Sequence, residues 1–494
     1  MARHRTSAVA LAAALLAASP LAGCSGSSSA APDCSATATR TDILGLAGAW
    51  YLYAGQVGFA AFDPASPTLS PSEFLDAIVN SAGAPDAGRH FSYLTTKTAS
   101  AQFFEEGTSL GFGLGLHFEG ADRLLVSQVF GDGLDPQDAL YPQRSAAVKA
   151  GFARGDEIIA IAPGSAPTPS AAGLDAPARQ VSAILAQDAL TPGALSAAFS
   201  SGVAGTVRDF RLKKVGTGAV LDVQASAATY SLDPVPHYLA PTVLTSPGGR
   251  RVGYLMLRSF ILPAQERLKA AFGRFKAEGV TDLIVDLRYD GGGRLEVAGT
   301  FLGLMSAGRA GATAFGLRHN AARAPANDVT FTVAAEPNGL APARVAFIVT
   351  GGSASASELL PFALAPALGA DVALVGDRTL GKPVGQYGFS GPDCPTVYVL
   401  LSFQLANGAG LAQYYGGLPD PAWTGSSCSA PDDLTHPTGD PAEGSTLVAL
   451  QWIDDGAACT PIAPAAPTAR LARTAGGPGA PEPSLAQRHV PGLF

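Results

Sequence analysis

The chain has 494 residues, too many for one ordinary domain, so two to four are expected. Apolar residues make up 47% and charged residues 15%, ample material for buried cores. A formal charge of −8 argues against nucleic acid and against an anionic membrane surface as partners.

Arg3 and Arg5 precede an apolar run from Ala8 to Ala18, and Leu21-Ala22-Gly23-Cys24 follows. A basic start, a short apolar stretch and small residues before a cut describe a secretory signal, too short for a membrane span. A cysteine directly after Leu-Ala-Gly resembles the bacterial lipoprotein box. That resemblance implies lipid on Cys24, loss of residues 1–23 and anchoring in the cell envelope, facing the periplasm or the exterior. An ordinary exported protein with an incidental Cys24 is the plainer alternative. Residues 24–40, opening with the Ser/Ala-rich Ser25–Ala31, read as a flexible tether.

Four cysteines remain: Cys34, Cys394, Cys428 and Cys459. An even count in an exported chain suggests disulfides, with three possible pairings. The most local choice joins Cys394 to Cys428 and leaves Cys34 with Cys459; free buried thiols are the alternative. There is no CxxC, so the spacings suit no zinc site.

Residues 41–104 read as a small helical domain. GAWYLYAGQ and SPSEFLDAIVNSA carry apolar residues at three- and four-residue spacing, and Ser70, Pro71 and Glu73 form a helix-start signature. Residues 105–232 change character, with a glycine-rich GFGLGL at Gly111–Leu116, a strand-like LLVSQVF and a Gly-Asp turn inside SAAVKAGFARGDEIIAI. This segment resembles a PDZ domain. The resemblance implies that Gly111, Phe112, Gly113 and Leu114 cradle a peptide C-terminal carboxylate on backbone N–H groups while the peptide adds as a strand. A β domain without peptide binding is the alternative. From 236 to 460 strands alternate with helices: RVGYLMLRSF, AQERLKAAFGRFKAEG, DLIVDLRY, EVAGTFLGLMSAG, ARVAFIVT, SASELLPFALAPAL and DVALVG. That order means an α/β core. The Pro- and Ala-rich tail, 461–494, reads as disordered or loosely packed.

The chemistry concentrates in TGGSASASELL, Thr350–Leu360. A strand runs into Gly351-Gly352 and then into a helix, so a serine on that turn lies near backbone N–H groups and the positive end of the helix dipole. Such a place stabilises a developing oxyanion. Ser355-Ala356-Ser357-Glu358 also matches a capping box, in which a serine merely holds a helix start. No G-x-S-x-G surrounds these serines and no S-x-x-K occurs, so two common serine-nucleophile templates fail there. His237, His319 and His436 sit in no recognisable triad pattern. Gly376–Lys382 satisfies G-x-x-x-x-G-K, but Pro383 stands where a P-loop needs a hydroxyl for Mg²⁺.

VDLRYDGGG (285–293), TGGSASASELL (350–360) and GDRTLGKPVGQ (376–386), in that order and with the PDZ-like segment before them, resemble the tail-specific or C-terminal processing peptidases. VGYLMLRSF, Gly417–Asp420 and TGDPAEGSTLVAL (438–450) add to the likeness, which covers roughly residues 41–455. The resemblance implies a multidomain α/β protein: a small N-terminal helical domain, a PDZ-like β domain and an α/β peptidase core of the crotonase-like or ClpP-like kind. It implies a serine endopeptidase acting on proteins or peptides through an acyl-enzyme, with no cofactor and no metal. Ser355 takes the place of the nucleophile, Lys382 of the general base, and Gln386 of the residue that holds it. Ala356 supplies one oxyanion N–H and Gly293 the other, with Gly292 as the fallback. A neutral amine can take a serine's proton, and burial among apolar side chains would lower the lysine's pKa. If Lys382–Gln386 is extended, the even separation puts both side chains on one face. A non-catalytic binding protein on the same fold, or a hydrolase of small esters or amides, are the other readings.

The sequence also departs from the family pattern. Ser355 and Lys382 are 27 residues apart, as if by a short insertion, and Pro361 and Pro366 imply a break or kink in the helix between them. Tyr289-Asp290-Gly291 follows Asp-Leu-Arg, and Pro383 follows the lysine where glycine is frequent.

Overall fold

The computed structural model describes residues 32–464, apart from 86, 135, 166–167, 192, 200–201, 237–241 and 457–458. The expected signal, Cys24, most of the tether, His237 and the tail beyond 464 lie outside the described residues.

The first helix, Ala36–Trp50, begins inside the expected tether. The Ser35 hydroxyl accepts the Ala38 N–H (3.2 Å), and the Asp33 carboxylate accepts the Ser35 N–H (2.9 Å), a capped start that the composition of the tether concealed. The helix stops at Trp50 although apolar spacing continues, because the Leu52 N–H leaves for the carbonyl of Leu401 (2.9 Å). The second helix, Pro71–Ser81, starts on the expected capping box: Ser70 Oγ accepts from Glu73 (3.3 Å) and the Glu73 carboxylate accepts from Ser70 (2.8 Å). Strand β1, Tyr93–Thr96, follows. The N-terminal segment therefore does not fold as helices alone. Ile43, Ala47, Tyr51, Phe74 and Ile78 bury themselves against Val384, Tyr398, Leu400 and Leu401, so its core is shared with the peptide chain three hundred residues on.

A two-stranded ladder, β2 (Thr108–Gly111) with β8 (Ala228–Ser231), frames the middle unit. Between them β3 (Leu114–Glu119), β4 (Arg123–Val129), β5 (Glu157–Pro163), β6 (Val207–Lys213) and β7 (Val220–Ser226) form an antiparallel sheet in sequence order, with β3 and β7 at its edges. Leu114, Leu116, Leu124, Val126, Ile158, Phe210 and Leu212 make its core with Phe112 and the helix Val181–Leu190.

The central sheet runs β19-β15-β14-β11-β10-β9, from Ser426–Ser429, Val372–Gly376, Val345–Val349, Asp282–Asp286, Arg251–Met256 and Thr242–Thr245. All neighbours are parallel except β9 with β10. The middles of its inner strands are apolar because both faces are covered. Leu283, Val285, Val345, Phe347, Val372 and Leu374 face the helices Ala264–Ala277, Leu295–Leu304 and Ala356–Leu368. The alternate residues Ile284, Ala346, Ile348, Ala373 and Val375 face the helix Gly444–Asp455. A second, antiparallel sheet joins β1 to β17 (Thr396–Asn407), then β12 (Thr313–His319) and β13 (Val329–Thr332), with β16 (Val384–Phe389) and β18 (Gly410–Leu411) also on β17.

The helix Ala356–Leu368 runs unbroken through both prolines. Pro366 cannot donate to the Phe362 carbonyl, and Asn407 Nδ2 takes that place at 2.7 Å. The expected break is absent, and a side chain from β17 satisfies the acceptor that Pro366 leaves. Packing also continues past the expected start of the tail: Ile462 is buried, and the Ala463 carbonyl accepts from Arg378 (2.8 Å).

The disulfides differ from the most local pairing. Cys34 joins Cys394 and Cys428 joins Cys459. Cys428 lies in the edge strand β19 on the face covered by the last helix, where the returning chain brings Cys459, whereas Cys394 lies on the β16–β17 turn beside the first helix. Non-reducing peptide mapping is expected to recover one cross-linked peptide with Cys34 and Cys394 and another with Cys428 and Cys459. A Cys394–Cys428 peptide would contradict this topology.

Candidate active site

Three loops leave the carboxyl ends of the adjacent parallel strands β11, β14 and β15, where open α/β sheets hold their ligands. They are residues 287–294, 350–355 and 377–383, which carry the three sequence motifs.

The middle loop sorts its three serines. Ser353 Oγ donates to the Leu287 carbonyl (2.7 Å) and accepts the Thr350 N–H (3.0 Å). Ser357 Oγ donates to the Asp290 carbonyl (2.8 Å). Both are sealed from solvent and tie this loop to the first. Ser355 retains 8% exposure and sits at the helix start with φ of +56°. A left-handed, non-glycine residue costs roughly 1–2 kcal/mol, so something must hold it there.

Glu358 does so. Its fully buried carboxylate accepts the Ser355 N–H on Oε2 at 2.9 Å and the Lys382 N–H on the same oxygen at 2.8 Å. Its Oε1 accepts the Gly381 N–H at 2.8 Å and the Thr379 hydroxyl. One carboxylate thus joins the middle loop to the third. Burial pushes the Glu358 carboxyl up, and the four hydrogen bonds offset this only in part. The sequence pattern identified Glu358 as a capping residue. That role is real, and the same group also fixes where Lys382 begins.

Lys382 is 7% exposed and its Nζ stands over the Phe91 ring, 5.1 Å from the centroid. Gln386 Nε2 donates to the Phe91 carbonyl at 3.0 Å. The expected shared strand face does not arise, because β16 starts only at Val384 and a register shift at Gly385/Gln386 breaks the alternation. The two side chains meet instead on one residue of the N-terminal segment. Arg89 reinforces that docking, donating to the carbonyls of Gly381 (2.7 Å) and Tyr415 (2.8 Å). Neither Phe91 nor Arg89 belongs to a motif, and no local signal marks them.

The first loop lies against the serine. A Cβ on Gly292 would stand 2.8 Å from Ser355 Cβ and 2.9 Å from the Ala356 nitrogen, so only glycine allows this contact. The Gly292 N–H is committed to Asp290 Oδ1 at 2.8 Å. Among the described residues the N–H groups of Gly293 and Ala356 have no acceptor. Gly293 has φ of +147°, with its Cα pressed on the Phe260 carbonyl. Asp290 is sealed, and burial pushes its carboxyl well above the usual range.

The glycine-rich loop of the middle unit is a separate place. Gly111 closes the β2–β8 ladder, and Phe112 is a core residue edge-on to Phe210. Gly113, at φ of +75°, passes over Ser145, and Leu114 opens edge strand β3. The N–H groups of Phe112 and Gly113 have no acceptor among the described residues. A G-x-S-x-G run, Gly107-Thr108-Ser109-Leu110-Gly111, forms β2 rather than a strand-to-helix turn. His319 lies between Asp328 (3.2 Å) and the Tyr387 hydroxyl (3.0 Å), and His436 pairs with Asp433; neither bonds Ser355 or Lys382.

Residues 251–416 match the model of peptidase family S41. That segment is similar to an S41 peptidase domain. Among solved structures it is similar to a protein of Bacteroides fragilis NCTC 9343 described as an S41 protease, at 19% identity over 84% of this chain and 97% of that one, with a TM-score of 0.59. The fold is therefore shared along nearly the whole of that protein. A photosystem II D1 C-terminal processing protease is similar over 80% of this chain and 93% of its own, at 16% identity and a TM-score of 0.48. No curated protein matches.

Two substitutions test this account. Glu358→Gln offers one acceptor oxygen to four donors, so two lose their partner and unfolding free energy falls by about 3 kcal/mol, read from urea titration. Asp290→Asn keeps the acceptor for Gly292. Because the folded pKa of Asp290 lies above the unfolded one, wild-type stability falls as pH rises from about 4 towards that raised value, by up to about 1.4 kcal/mol per pH unit. The asparagine variant should lack this slope in melts across pH; an unchanged slope would place the titration elsewhere.

Proposed function

We propose that the protein is an exported, lipid-anchored serine endopeptidase that cleaves protein substrates through an acyl-enzyme. The observation that carries this reading is the Glu358 carboxylate, which draws the backbones of Ser355 and Lys382 onto a single oxygen. Ser355 Oγ attacks the scissile carbonyl while Lys382 Nζ takes its proton. The carbonyl oxygen gains charge facing the N–H groups of Ala356 and Gly293. Lys382 then returns the proton to the leaving amine, and a water repeats the cycle on the ester. Gln386 acts through Phe91, whose ring and carbonyl fix both side chains. The middle unit binds a substrate C-terminus at Gly111–Leu114, supported by the unengaged N–H groups of Phe112 and Gly113 and by the open edge of β3. Cys24 carries the lipid and holds the enzyme in the cell envelope.

The test is cleavage of an unfolded protein by the chain from residue 25 onward. Ser355→Ala and Lys382→Ala should each lower the rate by at least a thousandfold. Ser353→Ala and Ser357→Ala should keep substantial activity, with unfolding free energy lower by about 1–3 kcal/mol for the carbonyls they leave. Equal cleavage by wild type, Ser355→Ala and Lys382→Ala would defeat the assignment, and loss in Ser357→Ala alone would move the nucleophile.

A further inference from the structure

The residue that launches the first loop is unusual. Tyr289 is buried and left-handed, with φ of +63°, a conformation that bulky side chains rarely take. Its N–H donates to Thr350 Oγ1 at 3.3 Å, and a Cβ on Gly352 would stand 3.1 Å from its Cα, so its backbone lies flat on the nucleophile turn. The next four residues are Asp290, which holds the Gly292 N–H, and Gly291, Gly292 and Gly293. Three glycines give this loop little stiffness of its own. The far end of the loop is held on Phe260, whose N–H donates to the Gly292 carbonyl (3.1 Å) and whose carbonyl accepts the Arg294 N–H (2.7 Å); Tyr289 fixes where the loop starts.

The tyrosine side chain is fixed from outside the core sheet. Its hydroxyl donates to Asp432 Oδ2 and accepts from Arg154 Nη1 at 3.0 Å. Asp432 Oδ1 accepts from Arg154 Nη2 (2.9 Å) and from Arg288 Nη1 (3.2 Å). Arg288 is itself fully buried, on Asp286 and Glu443. Asp432 is the anion between the buried Arg288 and the partly buried Arg154 and the acceptor for the tyrosine, and it lies beyond the segment that matches the family. We propose that Asp432 and Tyr289 form a positioning pair that holds the Asp290–Gly293 loop in register with Ser355, so that the Gly293 N–H meets the developing oxyanion.

This inference rests on the peptidase reading above. It predicts that Tyr289→Phe and Asp432→Asn each lower kcat at least tenfold on a peptide substrate while KM stays within threefold, the pattern of an interaction made only in the transition state. The double variant should be no worse than the weaker single one, because the two act as a unit. A peptide boronic acid, whose adduct on Ser355 puts an oxygen in the oxyanion position, should lose affinity in parallel with kcat; a product peptide should not. A merely structural pair would shift the melting temperature and leave kcat and boronate affinity intact, which would overturn the proposal. If Asp432→Asn fails to fold, Tyr289→Phe, which removes one hydroxyl, decides alone. Cleavage that survives Ser355→Ala would sink the peptidase reading and this inference with it. Cleavage that needs Ser355 but keeps full kcat in Tyr289→Phe would sink only the positioning pair.

Discussion

Four donors on one buried carboxylate organise the centre of this molecule. Glu358 takes the N–H groups of Ser355, Gly381 and Lys382 and the Thr379 hydroxyl, and so joins two loops that leave neighbouring strands. A carboxylate is suited to this because it offers only acceptors, about four lone pairs in one plane. An amide in the same place would meet two of those donors with hydrogens of its own. The strained backbone of Ser355 persists because its N–H has this partner and because Ser353 and Ser357 pin the turn on either side.

Helix capping and site assembly are here one interaction. In most helices a glutamate three residues after the cap stabilises only the helix. Here the helix Ala356–Leu368 begins at the site, and the second lobe of the same carboxylate reaches the third loop. Ser355-Ala-Ser-Glu358 is thus a capping box whose glutamate also holds the third loop.

What sequence disclosed and what it hid follow a physical line. The parallel strands were legible because burial on both faces makes them continuous apolar runs, and the helix at Pro71 because its capping box is local. The motif residues Ser355, Lys382 and Gly293 fall on loops at the ends of adjacent strands, as their order along the chain suggested. The contribution of Phe91, Arg89 and Asp432 was not legible, since each acts across a long sequence separation and none sits in a pattern. Strands β12, β13, β16 and β17 were hidden for a related reason: their partners are set by tertiary pairing. The disulfides show the limit most plainly, because proximity in sequence favoured Cys394 with Cys428 while the topology brought Cys34 to the β16–β17 turn.

Phe91 carries a consequence for when the protein becomes competent. The surface under Lys382 is made early in the chain, and the strand that Tyr93–Thr96 needs as a partner is β17, more than three hundred residues later. Closing such a distant contact is slow compared with local folding. A nascent or truncated chain that stops before residue 396 has Lys382 but no completed sheet to bring Phe91 to it. The proposed site is therefore assembled only once β17 has been made and paired with β1.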